Sequence, residues 1–171
     1  MNPITFHPDY LSDPATIFDD LLHSVNWDER MRARKTASFG VPYNYSQITY
    51  PEAPFPPGIK FMLDQLEETL GFRPNNCLIN YYLDGKSTMG WHSDQTDILE
   101  VDTGVAIISL GATRTLRFRK ISDKDLKHDY PLPAGSMIYM TQEAQEIWQH
   151  AIPKADVQDG RMSLTFRLIK G

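Results

Sequence analysis

The sequence predicts an α+β protein whose body is an antiparallel double sheet (a sandwich, jelly roll or barrel) buttressed from outside by N-terminal helices. Three observations carry this expectation. Helix-patterned segments are confined to residues 12–71, short β-like runs follow Gly71, and turn signals such as Asp84-Gly85, Gly111 and Ala134-Gly135 fall between those runs. Six or more short strands with little helix among them belong to the sandwich, jelly-roll and barrel class.

The first helix is expected over 12–25, SDPATIFDDLLHSV. Ser12 or Asp13 can cap it, Pro14 suits its first turn, and Ile17, Leu21 and Leu22 form an apolar stripe. A more strongly patterned helix is expected over 56–71. There Ile59, Met62, Leu63, Leu66 and Leu70 recur at helical spacing, and Gly71 is the stop. Between the two, ASFGVPYNYSQITYP is rich in aromatics, Gly and Pro and reads as hairpins and loops. Strands are expected at CLINYYL, GWHSD, VAIISLG, TLRFRK, GSMIYM and RMSLTFRLI.

At 171 residues the chain has the size of one domain, with 41% hydrophobic and 23% charged residues, as in ordinary soluble proteins. No apolar run approaches the roughly 20 residues that cross a bilayer. The N-terminal MNPITFHPDY lacks the basic and apolar regions of a secretory signal. The single cysteine, Cys77, has no internal disulfide partner and reads as buried packing. A cytoplasmic monomer without membrane contact is expected. The net charge of −5 does not favour a nucleic-acid binder, but RMRARK at 30–35 and Arg114, Arg117, Arg119 and Lys120 form local basic clusters. Phosphate backbones respond to such local charge, and solvated faces are the plainer reading of both clusters.

In WHSDQ, His92 and Asp94 stand two residues apart, so on an extended segment both side chains point to one face. Alone, the pair reads first as a hydrogen bond at a strand end. His150, in IWQHAIP, is the further candidate; His7, His23 and His128 read as surface residues. Two histidines and one carboxylate, with His and Asp two apart on a strand, form the facial triad of non-haem Fe(II) oxygenases. The last strand adds an independent clue. Arg161, Ser163, Thr165 and Arg167 share one face, opposite Met162, Leu164, Phe166 and Leu168. Forked guanidinium donors suit a carboxylate held in a pocket. Asn80 and Tyr82 likewise share a face, opposite Ile79, Tyr81 and Leu83.

Together LINYYLDG, WHSD, WQHAI and RMSLTFR resemble the signature of the AlkB-type dioxygenases, from about residue 34 to the C-terminus. The resemblance implies a double-stranded β-helix (jelly roll) over about 72–171, preceded by a helical and nucleotide-recognition region over about 1–71. It implies Fe(II), 2-oxoglutarate and O₂, with His92, Asp94 and His150 as iron ligands. Arg161 and Tyr82 would hold the distal carboxylate of 2-oxoglutarate, and Asn80 and Arg167 would lie near its iron-chelating end. Ser163 replaces the Asn found in many relatives at that position. The implied chemistry consumes O₂, decarboxylates 2-oxoglutarate to succinate and hydroxylates a substrate C–H bond.

RARKTASFGVPYNYS resembles the nucleotide-recognition region of the same family. By that match Tyr45 stacks on a base extruded from its strand, with the His92 ring opposite. Tyr43 and Phe39 line the pocket, and Arg34 and Lys35 meet phosphates. Alkylated DNA or RNA, as single strands, is the implied partner. Thr96 stands where repair members often carry an acidic residue facing the damaged base. The reading is therefore oxidative demethylation of alkylated bases. The alternative is the same oxygenase chemistry on a protein side chain, free nucleotide or small metabolite. A non-catalytic nucleic-acid-binding module has no need of the ligand set, and the paired arginines argue against a zinc hydrolase.

Overall fold

The computed structural model describes residues 2–171. In chain order the elements are β1 (Ile4–His7), α1 (Pro14–Ser24), β2 (Lys35–Gly40), β3 (Tyr43–Tyr45), β4 (Ile48–Tyr50), α2 (Pro57–Leu70), β5 (Asn76–Tyr82), β6 (Met89–His92), β7 (Val105–Gly111), β8 (Arg114–Lys120), β9 (Asp123–Leu132), β10 (Met137–Met140), α3 (Gln142–Ile147), β11 (Trp148–Ile152) and β12 (Arg161–Arg167). A six-stranded sheet runs β1-β10-β7-β12-β5-β2, a four-stranded sheet runs β6-β11-β8-β9, and β3 and β4 form a separate hairpin. The pairings within both larger sheets are antiparallel, the arrangement expected of a jelly roll.

Both expected helices form. Pro14 opens α1, although Asp13 caps it without a side-chain hydrogen bond. Gly71 ends α2 in the left-handed region at φ 81°, its N–H donating to the Glu67 carbonyl. The helices cover one face of the six-stranded sheet. Leu21, Ile59, Met62, Leu63 and Leu66 pack there against Ile79, Ile108, Met162, Leu164 and Phe166. A second core fills the space between the sheets, where Tyr82, Val105, Ile107 and Ile138 meet Leu116, Phe118, Leu132 and Ile152. The double sheet is thus buried on both sides of its larger leaf.

Several elements differ from the sequence reading. The boundary placed near residue 71 is not a structural seam, because β1 and β2 are the two edge strands of the six-stranded sheet. The segment read as hairpins and loops holds the β3–β4 hairpin, but its first part is β2, paired with β5 from Lys35↔Tyr81 to Gly40↔Asn76. The charged DKDLKHDYPL forms β9, an edge strand exposed along most of its length. Such a strand has no apolar face to produce an alternating pattern.

Candidate active site

β12 lies between β7 and β5, so every second residue faces the gap between the sheets. Ser163 is opposite Ser109 and Asn80, and Thr165 is opposite Ile107 and Leu78. All seven β12 residues are buried, including both arginines. The polar face is therefore not a wetted strand surface. It lines a cavity of about 440 Å³, its open mouth included, together with Asn80, Tyr82, His92, Asp94 and His150.

The histidines meet through strand pairing. β6 and β11 are antiparallel neighbours with His150 directly opposite His92, and their ring centroids lie 4.3 Å apart. The His92 Nδ1–H donates to the Gly90 carbonyl at 2.9 Å, leaving the Nε2 lone pair free. That Nε2 is 3.6 Å from Asp94 Oδ1, and His150 Nε2 is 3.8 Å from Asp94 Oδ2. One donor atom from each residue lies within 4.8 Å of the others.

Asp94 is held from α3 and β11, and of its partners there only Gln145 lies outside the sequence motifs. Its backbone N–H donates to Gln145 Oε1 at 2.7 Å, and the neighbouring Ser93 hydroxyl donates to the Trp148 carbonyl at 2.8 Å. Gln145 sits on α3, capped by the Thr141 side chain, and is buried beside the strand that carries His150. The α3–β11 junction thus fixes both the Asp94 loop and His150.

Charge follows the same geometry. Burial alone raises the Asp94 carboxyl, but the surrounding positive groups outweigh it and hold the group well below the usual carboxylate range. Arg167, 3.7 Å away, is the permanent charge among them. Burial pushes His150 down to about 4, so its imidazole is neutral near pH 7. For His92, burial opposes the charged form, but the adjacent Asp94 carboxylate prevails and raises the group. A carboxylate and a neutral imidazole are in the states that ligate a metal, and a metal displaces any proton on His92.

The second half of the cavity is cationic. The Arg161 guanidinium is 1% exposed, donates one hydrogen bond to Ser109 Oγ at 2.9 Å and lies 5.3 Å from the centre of the Tyr82 ring. Among the described residues its Nε and Nη1 find no partner, nor do Nε and Nη1 of Arg167. Burial lowers Arg161 to about 10, yet it remains charged near neutrality. A buried guanidinium without a carboxylate is costly, so these orphaned donors fit an acidic ligand.

Residues 18–167 match the family described as the 2OG-Fe(II) oxygenase superfamily. The chain belongs to it. Membership brings Fe(II), 2-oxoglutarate and O₂, and the donor set and orphaned guanidiniums fit the first two. The rat alpha-ketoglutarate-dependent dioxygenase alkB homolog 3 is 32% identical over 93% of this chain and 61% of its own length. The human DNA oxidative demethylase ALKBH2 is 30% identical over 80% of this chain and 56% of its own. These relatives are AlkB-type oxygenases, and the chain spans about three fifths of their length. The solved structure titled "The structure of OsALKBH1" has the same fold, with a TM-score of 0.74 at 15% identity and 98% coverage of both chains.

The residues assigned to substrate are divided by the fold. Tyr45 lines the cavity, at the end of β3, together with His92. Tyr43 does not: it is buried with Tyr50 and Leu78, and the Arg167 guanidinium lies 4.9 Å from its ring centre. Phe39 is also displaced from the expected position. On β2 it shares the face of Lys35 and Ala37, which turns toward the helices, and it packs against their core. Arg34 was expected at phosphates but is 8% exposed and turned inward. It donates to Asn80 Oδ1 at 3.0 Å, the Thr88 carbonyl at 2.6 Å and the Tyr45 hydroxyl at 2.8 Å. Lys35 pairs with Glu29 at 3.0 Å. Thr96 is half-buried in the loop after Asp94 and lies outside the cavity lining.

The downstream basic cluster is similarly dispersed. Arg117 pairs with Asp129, and Arg119 lies 4.3 Å from the centre of the Trp91 ring. Arg114 is buried and gathers the carbonyls of Asp84, Ser87 and Pro153, pinning the loop after β5 to the chain before β12. Gly85 sits in that loop, where a Cβ would collide with the Ala155 carbonyl. Among the described residues no helix is long and apolar enough to cross a membrane.

Proposed function

We propose that this chain is an Fe(II)- and 2-oxoglutarate-dependent oxidative demethylase of N-alkylated bases in single-stranded DNA or RNA, acting as a cytoplasmic monomer. One observation carries the reading: donor atoms of His92, Asp94 and His150 lie within 4.8 Å of one another, in a cavity shared with the Arg161 guanidinium, whose Nε and Nη1 have no partner among the described residues. The names of the relatives, a dioxygenase and a DNA oxidative demethylase, support the substrate class.

In this reading His92, Asp94 and His150 hold Fe(II), which with 2-oxoglutarate and O₂ supplies the oxidation of a substrate C–H bond. Gln145 and the Gly90 carbonyl keep two ligands oriented before the metal arrives. Arg161 grips the distal carboxylate of the diacid beside Tyr82 and Ser163. Asn80 and Arg167 line the end nearer Asp94. Apolar walls from Leu78, Met89, Ile107, Leu116 and Ile152 limit water at the site. Tyr45 and His92 flank the extruded base, and Arg34 fixes the Tyr45 hydroxyl. A hydroxylated N-methyl group then breaks its C–N bond, releasing formaldehyde and returning a proton to the nitrogen.

The inward turn of Arg34 and the Lys35–Glu29 pair remove two expected phosphate contacts, which favours a second reading with a free nucleotide or other small substrate. Purified chain with Fe(II), ascorbate and 2-oxoglutarate is expected to release succinate, and methylated single-stranded oligonucleotides are expected to yield formaldehyde. Succinate without formaldehyde across 1-methyladenine, 3-methylcytosine and their neutral counterparts favours the second reading.

A further inference from the structure

We propose that the rings packed against His150 form an electron route from the protein surface to the metal site, used when 2-oxoglutarate is consumed with no substrate in place. The proposal rests on His150 as a ligand and is independent of the substrate. Phe118 is the cross-strand partner of His150 on β8, with ring centroids 5.6 Å apart. From Phe118 the next rings are Tyr130 at 5.6 Å and Trp148 at 6.5 Å, and Trp148 stands 5.3 Å from His128. Trp148 is also two residues before His150 on β11 and so shares its face. Phe118 is buried, whereas Tyr130 and Trp148 are half-buried. With His128 these rings line a second cavity of about 620 Å³, its open mouth included, which shares no lining residue with the cavity of the ligands. The rings thus lead from a ligand to solvent on a path separate from the substrate's.

Charge singles out Tyr130 and Trp148 among the oxidisable rings near the site. Tryptophan and tyrosine give up an electron more readily than other rings, and the loss leaves positive charge on the ring. A guanidinium against the ring opposes that loss, most strongly where water is excluded. The Tyr82 ring has Arg161 at 5.3 Å, Arg114 at 5.7 Å and Arg34 at 5.8 Å from its centre. Arg167 lies 4.9 Å from the Tyr43 ring, Arg119 lies 4.3 Å from the Trp91 ring, and the Tyr45 hydroxyl accepts from Arg34. Among the described residues no guanidinium lies against the ring of Tyr130 or Trp148. Phe118 is not itself oxidised; its ring is the short bridge across which the electron tunnels. The electrons balance as follows. Reduction of O₂ takes four, of which two come from decarboxylating 2-oxoglutarate, a step that carries one oxygen atom into succinate. The other two normally come from a substrate C–H bond. Without substrate they pass singly through the rings from an ene-diol reductant such as ascorbate, which becomes dehydroascorbate. The two protons it gives up leave with the second oxygen atom as water.

Side-chain oxidation reads the route directly. The full chain is incubated in air with Fe(II) and 2-oxoglutarate, without substrate or ascorbate. Peptide mass spectrometry maps the oxygen added to its side chains, and succinate counts the turnovers. Oxidation per succinate is expected to concentrate on Trp148 and Tyr130 rather than on Tyr45, Tyr82 and Met89 of the ligand cavity. Ascorbate is expected to suppress it and to be consumed one for one with succinate. Phe118→Leu removes the bridging ring, and Trp148→Phe combined with Tyr130→Phe keeps the rings but removes the groups that lose an electron. Each change is expected to raise oxidation of the cavity lining severalfold per succinate and to lower the consumption of ascorbate. A wild-type map dominated by the cavity lining, or cavity-lining oxidation that neither change raises, overturns the inference. Absence of succinate from the wild-type chain overturns the ligand assignment beneath it.

Discussion

The two faces of β12 are equally buried and do opposite work. Toward the helices, Met162, Leu164 and Phe166 pack into an apolar core and are complete without anything added. Toward the smaller sheet, Arg161, Ser163, Thr165 and Arg167 are just as hidden from water, yet guanidinium nitrogens there lack partners. Burial with satisfied contacts marks a structural face. Burial with unpaired charge marks a face that is finished only by a ligand.

That contrast is most sharply tested at the metal ligands. Asp94→Ala is expected to lower turnover by about a thousandfold or more, since the metal supplies the hard chemical step. Its melting temperature is expected to stay close to wild type, because the residue serves the ligand rather than the core. A parallel collapse of folding in circular dichroism would make Asp94 structural and erase the distinction between the faces.

The next comparison sets the two faces of one strand against each other. Arg161→Leu is expected to raise the 2-oxoglutarate KM by about 10- to 100-fold, the worth of one or two charge-assisted hydrogen bonds. It leaves the stability of the ligand-free chain unchanged or higher. Leu164→Ala, one turn of the pleat away, is expected to cost about 2–5 kcal/mol in denaturant unfolding while leaving that KM alone. If both variants moved both readouts, the two faces would not be separable.

Gln145→Ala is expected to weaken metal binding by about tenfold, because the Asp94 N–H loses its acceptor. Calorimetric metal titration reads this without turnover. Stability also depends on pH. His150 titrates near 4 in the folded chain and near 6.5 when unfolded, so the unfolded chain binds the extra proton between those values. Stability of the metal-free chain is therefore expected to fall as pH drops through that window, by up to about 3 kcal/mol. Asp94 adds a loss in the same direction at still lower pH, while the raised His92 acts oppositely and loses its contribution as pH rises. Thermal melts of wild type and His150→Asn across pH 4–7 check the sign, and the variant is expected to flatten the slope.

How legible these features were depends on whether a residue's period matched its surroundings. The α2 stripe and the β12 alternation repeat with the geometry of their elements, so both were readable, and so was His92 beside Asp94. β9 was not, because a strand wetted on both faces carries no period. Phe39 was misassigned because its face depends on register: one residue decides whether a β2 side chain meets the helices or the cavity. Arg34 was placed at phosphates by the family resemblance, and only tertiary packing turns it inward. Gln145 gave no signal, since a buried amide accepting one backbone N–H has no sequence pattern.

Anaerobic calorimetric titration of Fe(II) into the chain, with and without 2-oxoglutarate, bears most directly on whether His92, Asp94 and His150 converge on one metal beside a diacid pocket. The expected result is one Fe(II) per wild-type chain, tighter metal and cosubstrate binding in each other's presence, and loss of the metal site in Asp94→Ala and His150→Ala. Equal stoichiometry and affinity in those variants, or 2-oxoglutarate binding indifferent to Arg161→Leu, would contradict it.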